Sequence, residues 1–401
     1  MPYIVSMENT KQEQLGLWQV VSLGIGSIVG AGIFALLGQV LQETGIMTYY
    51  SFAVSGIIAL FCGYAYIKLA GAFPSQGGIT VYFQHAFPNK WISGTLTLIY
   101  VFTTLISAGT MAKSFGFYMD SLLGHLPYLS VNVWAAGLLI LLGLFNMMKA
   151  NDVGNAEALM VAFKVGILTI LIVAGIVEFK SYTPAFTTQP STSAFFRSIG
   201  ITFFAFAGFG VITNATAYVK NKEHTIRLAM YLTILLVMAL YIGLAFVVIN
   251  YISPTVFAQN VNVAVAVVAK QLLGDFGSLL IYAAAVLAFF TGVSASYFAV
   301  FRITKSLADQ NILPGIYRKK LFGRGTYGNG LSVLLLTIIT VLFGFDDIVN
   351  LSSVAYLVSY LGVFVASFIL RKQTHAKFIP IGIGFVLMTL LLIGFVNSVY
   401  L

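Results

Sequence analysis

Gly24-Ile25-Gly26-Ser27-Ile28-Val29-Gly30-Ala31-Gly32-Ile33-Phe34 is the stretch that decides the fold. It lies in the first long apolar segment, about residues 15–41, and places four glycines within nine residues. A glycine inside a helix costs ~1 kcal/mol relative to alanine. In a bilayer, a backbone group released from a helix finds no water. A spanning segment that breaks at mid-depth must therefore use the groups it frees. Broken helices at the midplane are how many secondary transporters hold a charged small molecule. Close helix packing is the plainer reading, since Gly26-xxx-Gly30 is also a small-xxx-small pair. The stretch alone does not separate the two.

The rest of the chain favours a membrane setting. Of 401 residues, 59% are hydrophobic and only 8% are charged, and the mean hydropathy is +0.95. This is the composition of an all-α polytopic membrane protein, not of a soluble domain. The first apolar run is too long for a signal-peptide core and lacks a basic flank, so it reads as a retained span. The single cysteine, Cys62, excludes an internal disulfide. A net charge of +9 points to basic cytoplasmic loops and not to nucleic acid.

Apolar runs place about eleven spans at 15–41, 47–72, 92–119, 131–149, 156–178, 195–219, 228–251, 276–304, 329–345, 349–370 and 378–400. With residues 1–14 as a cytoplasmic N-terminal segment, the inner loops hold most of the bases, from Lys68 through Arg302 and Arg318 to Lys377. The outer segments hold only Lys180, Arg197 and Lys270. That asymmetry sets the N-terminus inside.

Several interruptions stand out in chain order. After span 2, Ala72-Phe73-Pro74-Ser75-Gln76-Gly77-Gly78 ends the helix, and the mildly amphipathic Ile79–Phe83 that follows suits the cytoplasmic interface. Lys113 in span 3 reads as snorkelling toward the outer surface. Lys164 lies about nine residues inside Asn155, roughly 13 Å deep. It is a functional candidate by depth, with snorkelling as the plainer alternative. Span 6 reads Phe203-Phe204-Ala205-Phe206-Ala207-Gly208-Phe209-Gly210, a second glycine break five spans after the first. Interrupted segments at corresponding positions of two halves are the best pointer to a transporter site. Spans 1–5 (15–178) and 6–10 (195–370) then form an inverted 5+5 repeat, with 378–400 as one additional span. Between spans 7 and 8, Val261–Gln271 is expected as a short helix over the outer mouth. No HExxH, paired Cys or P-loop is present, and His85, His125, His224 and His375 fall in loops or at span ends, so neither metal nor cofactor is expected. No Asp or Glu lies deep in a span.

Taken together, these segments resemble the amino acid–polyamine–organocation (APC) superfamily of permeases. Gly26-Ser27-Ile28-Val29-Gly30-Ala31-Gly32-Ile33-Phe34 is similar to the family's first-span signature. Phe73-Pro74-Ser75-Gln76-Gly77-Gly78 resembles the motif after span 2, and Asn146–Gly154 with Lys164 the span 4–5 pattern. Phe204–Phe209 resembles the span 6 break, and Arg302–Pro314 the tail of span 8. The chain departs from many members in having Gly210 and Lys68 where Glu is frequent.

The resemblance implies the LeuT-like inverted-repeat fold of the sodium-coupled neurotransmitter symporters. It implies that freed N–H groups of Gly30, Ala31 and Gly32 bind an α-carboxylate. Carbonyls of Ile28, Phe204 and Ala207 would accept the α-ammonium. Thr103, Thr104, Ala108 and Met111 on span 3 would form the selectivity wall, and Phe206 a gate. The Lys164 ammonium would take the place of a coupling sodium. The function implied is secondary active transport of amino acids across the cell (inner) membrane, with no enzymatic step. Protons or a counter-transported amino acid would be the coupled partner. A neutral substrate is expected, because the spans lack a deep acid. A polyamine or cationic amino acid exchanger of the same fold, or a transport-inactive sensor, is the alternative. At this level Gly30 and Gly32 are equivalent: leucine at either is expected to fill the carboxylate's space.

Overall fold

Apolar runs of this length coil into helices because lipid offers their backbone polar groups no other partner. The computed structural model describes residues 15–75, 77–124, 126–148, 154–179, 186, 190–219 and 221–400. The cytoplasmic segment expected over 1–14 lies outside the described residues, as do Lys180 and part of the Asn146–Gly154 pattern.

The first apolar segment is three helices, α1 (Leu17–Ile28), α2 (Ala31–Phe34) and α3 (Leu36–Thr44). Then come α4 (Thr48–Ala72), α5 (Ile79–Ala86), α6 (Lys90–Leu122), α7 (Val131–Met148) and α8 (Gly154–Val177). α9 (Thr192–Phe206) gives way to a 3₁₀ stretch, Phe209–Tyr218. α10 (Lys222–Tyr251), α11 (Pro254–Gln259) and α12 (Ala264–Asp309) follow. A small hairpin of β1 (Lys320–Phe322) and β2 (Gly325–Thr326) leads to α13 (Tyr327–Leu342), α14 (Phe345–Ile369), α15 (Arg371–Thr374) and α16 (Phe378–Tyr400). Among the described residues, nine helical stretches are long and apolar enough to cross a membrane, and α1 and α13 are shorter apolar helices.

Polar residues set the ends. Side chains of Asn89, Ser191, Ser253 and Thr326 accept N–H bonds at the starts of α6, α9, α11 and α13. Asp347 accepts from the Gly344 N–H at 3.1 Å, which starts α14 at Phe345, earlier than the expected 349. Helices meet through small and hydroxyl residues. Ser51 and Ser55 on α4 bond Ser198 and Thr202 on α9 at 2.7 and 2.6 Å.

Three expectations change. α5 does not lie on an interface with its apolar side in lipid. Its Tyr82 and Phe83 are fully buried, because α6 and α14 pack over them. Lys113 does not snorkel: it is buried, and its Nζ donates to the Phe343 carbonyl at 2.5 Å, satisfying the end of α13. The helix expected over 261–271 is present, but as the first part of α12, which turns at Gly274 (φ 70°, ψ −169°). Its Val265, Ala266, Val268 and Ala269 are buried.

The turn before α12 rests on Gly38 of α3, where a Cβ would overlap the Val261 carbonyl oxygen. Gly137 on α7 has nothing within 4 Å of a Cβ. Gly38→Ala is expected to destabilise the protein by about 1–3 kcal/mol. Gly137→Ala is expected to be neutral or stabilising by up to ~1 kcal/mol. Thermal unfolding of the two variants in detergent checks the pair, and equal melting temperatures would contradict it.

Candidate functional site

Two helix breaks face each other in the interior. α1 ends when Val29 leaves helical geometry (φ −76°, ψ 75°). The second break is Ala207–Gly208 (φ −58°, ψ 140° and φ 123°, ψ −22°), a turn that needs a residue with positive φ in second place. Glycine meets that need, and a Cβ there would also lie 2.7 Å from the Ser27 carbonyl oxygen. The broken segments run antiparallel. Ser27 Oγ donates to the Gly208 carbonyl at 3.1 Å, while Gly32 abuts Ala205. Between these contacts the Tyr241 hydroxyl reaches the carbonyls of Ile28 at 3.1 Å and Ala205 at 3.2 Å. A phenol has one proton, so it is shared between the two breaks.

A cavity of about 150 Å³ lies against them. It is lined by Gly26–Ile28, Gly30 and Gly32 of the first break and by Phe204, Ala205, Ala207 and Gly208 of the second. α6 contributes Tyr100, Thr104, Ser107 and Met111, and α12 contributes Thr291, Gly292 and Ser296. Tyr66, Tyr356 and Tyr360 complete the wall. Phe204 stacks on Tyr356 with ring centroids 5.4 Å apart. No described lining residue carries a formal charge. Among the described residues, no three of His, Cys, Asp and Glu are grouped to hold a metal ion.

The cavity continues toward one side. Tyr66, Tyr100, Gly210 and Ala299 are shared with a second, larger cavity of about 320 Å³. Its rim carries the exposed Gln84, Arg302 and Ser306. Toward the opposite side the interior is closed by Phe34, Tyr118, Phe289 and Tyr282, whose rings meet edge to face. Beyond them, Arg197 pairs with Glu43 at 2.5 Å, and Gln39 donates to Asp346.

The structure brings together Ile28, Gly30, Gly32, Phe204, Ala207, Thr104 and Met111 of the residues expected from sequence. Ala31 begins α2. Others lie elsewhere. Thr103 is one position off the cavity face and bonds Ser359 of α14 at 3.0 Å. Ala108 is buried in a core cluster that includes α7 residues. Phe206 does not reach the cavity. The turn at Ala207 points it backwards, onto the Tyr241 ring 5.3 Å away, so it is no gate in this arrangement. Three backbone groups expected to be free are engaged, the Gly30 N–H and the carbonyls of Ile28 and Phe204. The Gly30 N–H donates to the Ile28 carbonyl at 2.8 Å, and the Phe204 carbonyl accepts from the Ala207 N–H at 2.9 Å. Lys164 is buried behind the first break and its Nζ donates to the Val29 carbonyl at 3.3 Å, outside the cavity wall. Tyr100 and Ser107 were missed. Their spacing with Thr104 and Met111, three or four residues at each step, is the helical signal that marks one face of α6.

A family model described as amino acid permease matches residues 15–400. The chain belongs to the amino acid permease family. The permease is 36% identical to the inner membrane transport protein YbaT of Escherichia coli, over 98% of this chain and 92% of that one. It is 25% identical to cationic amino acid transporter 9, chloroplastic, of Arabidopsis thaliana, over 76% of this chain and 57% of that one. With the serine/threonine exchanger SteT of Bacillus subtilis it shares 24%, over 92% and 86%. The permease is thus a largely helical, polytopic transport protein of a membrane.

The two glycines of the first break now part company. A Cβ at Gly30 would have only Met111 Cε nearby, at 3.9 Å, in open cavity. A Cβ at Gly32 would lie 2.7 Å from the Ala205 carbonyl oxygen and 2.8 Å from its Cα. Gly30→Leu is expected to fold and lose substrate binding. Gly32→Ala is expected to push the breaks apart and lower stability by about 1–3 kcal/mol. Melting temperature beside equilibrium binding separates the two outcomes, and a stable Gly32→Ala would refute the packing role.

Proposed function

We propose that the permease is a secondary transporter that carries small neutral amino acids by alternating access. The observation that supports this most is the uncharged cavity between two helix breaks, connected to one face and shut toward the other. Backbone dipoles at broken helices suit a zwitterion, because one break offers N–H groups and the other carbonyls. In this conformation Gly30 closes a tight turn, so its N–H becomes available only when substrate opens that turn. The antiparallel crossing of the breaks supports relating 15–178 and 195–370 as inverted repeats.

A volume of about 150 Å³ is half the lower end of ordinary drug-sized pockets, which favours a small side chain. Hydroxyls of Thr104, Ser107, Thr291 and Ser296 suit a short or polar one. The name of SteT, a serine/threonine exchanger, agrees with this. The name of the plant relative is that of a cationic transporter. A cationic side chain would, however, meet no acid in this cavity. The basic loops favour a vestibule and an N-terminus on the cytoplasmic side of the cell membrane. Coupling would be to protons or to a second amino acid, with the Lys164 ammonium tying α8 to α1 in place of sodium.

Uptake into proteoliposomes, competed by the twenty amino acids, tests the substrate class. Small neutral amino acids are expected to compete, while methyl esters and decarboxylated amines fail. Strong competition by a simple amine would instead support a polyamine site.

Lys164→Ala is expected to bind substrate yet transport it at least tenfold more slowly, because a buried charged hydrogen bond is worth about 1.5–3 kcal/mol. Lys164→Arg should not rescue, since the planar fork is larger. Initial rates in sodium and in choline, beside equilibrium binding, decide this. Wild-type rates in the alanine variant, or a strict sodium requirement, would remove Lys164 from coupling.

A further inference from the structure

The second cavity has a wall of its own. It is lined from α5 by Thr80 and Gln84, from the 3₁₀ stretch by Asn214, and from α12 by Phe298, Arg302 and Ser306. The wall is built, not incidental. At Gly78 (φ +50°) a Cβ would overlap the amide oxygen of Asn214, so the Gly77-Gly78 pair holds the α5 entry close against the end of the second broken helix. Among the described lining residues, Arg302 alone carries a formal charge. Its guanidinium lies 5.2 Å from the Phe298 ring centroid. The ring gives a cation–π contact but no hydrogen-bond acceptor, so the guanidinium N–H groups remain for an anion.

Among the described residues, no carboxylate pairs with Arg302. The ion pairs there are Arg197–Glu43 and Lys270–Asp275. Asp309, on the same helix, is seven residues further on, about 10 Å by helix rise. Lys305 and the bases of the hairpin, Arg318, Lys319 and Arg324, do not line the cavity. A general excess of inner positive charge explains those bases but not why one stands, without an acid, on the route out of the central cavity.

We infer that Arg302 makes the vestibule a second, lower-affinity binding station for the α-carboxylate of the amino acid as it passes between the central cavity and the vestibule face. The inference rests on the proposed transport of amino acids through the first cavity. The neck formed by Tyr66, Tyr100, Gly210 and Ala299 is common to both cavities, so a molecule leaving the backbone cradle meets Arg302 next. The cradle reads carboxylate and ammonium together, whereas Arg302 reads only the carboxylate, with Asn214 and Gln84 amides beside it as polar partners. This station concentrates amino acids at the mouth and excludes amines, which carry the wrong charge.

The test uses a probe that offers Arg302 its whole ligand and the central cradle only half of its own. Propionate has a carboxylate and no ammonium. Transport of the best-competing amino acid is measured in inside-out and right-side-out vesicles containing the full-length protein, with propionate added outside. Propionate is expected to inhibit competitively only in the orientation that presents the vestibule face. Arg302→Gln is expected to abolish that inhibition and to raise the half-saturation constant from the vestibule face about fivefold, the worth of a solvent-screened ion pair. The constant from the opposite face should not change. Arg302→Lys keeps the charge and should keep most of the inhibition. If Arg302→Gln fails to fold, Arg302→Met, which keeps an apolar stem against Phe298, takes its place with the same expected loss of inhibition. Equal inhibition from both faces, or transport indifferent to propionate on either, overturns the station while leaving the central site intact. If the wild type transports no amino acid at all, the reading of the central site falls and the station falls with it.

Discussion

The structure depends on one constraint: two helices stop in the middle of the protein, and their loose ends satisfy each other. Ser27 bonds the backbone of Gly208, and Gly32 lies against the backbone of Ala205. One phenolic proton from Tyr241 spans the gap by reaching carbonyls of both breaks. In an apolar medium each unpaired carbonyl costs several kcal/mol, so these few bonds decide whether the breaks are tolerated. Glycine is needed at Gly32 and Gly208 because any side chain would separate the two backbones. The cavity is the space left where that mutual satisfaction is incomplete.

The broken helices were legible in the sequence because glycine is so costly there. Gly30 and Gly208 mark the interruptions within a residue or two. The deep position of Lys164 was legible for the same reason, since charge in an apolar run is rare. Its partner, the Val29 carbonyl, followed only from the fold. Which side chains face the cavity was only partly legible. α6 is packed on several sides, against α7, α12 and α14, so its apolar residues run all round and give no phase. Thr103 and Thr104 are therefore equal in sequence, and only packing sends one to α14 and the other to the cavity. Phe206 illustrates a different limit. In a run of four phenylalanines the backbone turn at Ala207 decides where each points, and that turn is not a property of the side chains.

The two faces of the protein are held differently. Toward the vestibule the contacts are loose: exposed Gln84, Arg302 and Ser306 stand around open space. Toward the other face, Phe34, Tyr118 and Phe289 form a dry aromatic cluster, and the Tyr118 hydroxyl donates to the Phe34 carbonyl at 2.7 Å. The polar pairs beyond it, Arg197–Glu43 and Gln39–Asp346, both involve α3. The helix that continues the first break is therefore the element most strongly tied down on the closed side.

This arrangement links the cradle to the closed face through a short rigid lever. Only Ala35 separates α2, which starts at the first break, from α3, which carries Gln39 and Glu43. Any group that engages the first break displaces the Gly30–Ile28 turn and pulls on α2. α3 cannot follow without straining its pairs with Arg197 and Asp346 or its contact with Val261 at Gly38. The partly exposed Arg197–Glu43 ion pair is worth about 1 kcal/mol or less, and the hydrogen bond from the buried Gln39 amide to the Asp346 carboxylate about 1.5–3 kcal/mol. Most of the resistance must then come from the buried aromatic cluster and the close packing at Gly38. Opening the far face thus means separating packed apolar surface, and the two polar pairs add a smaller cost while setting its register.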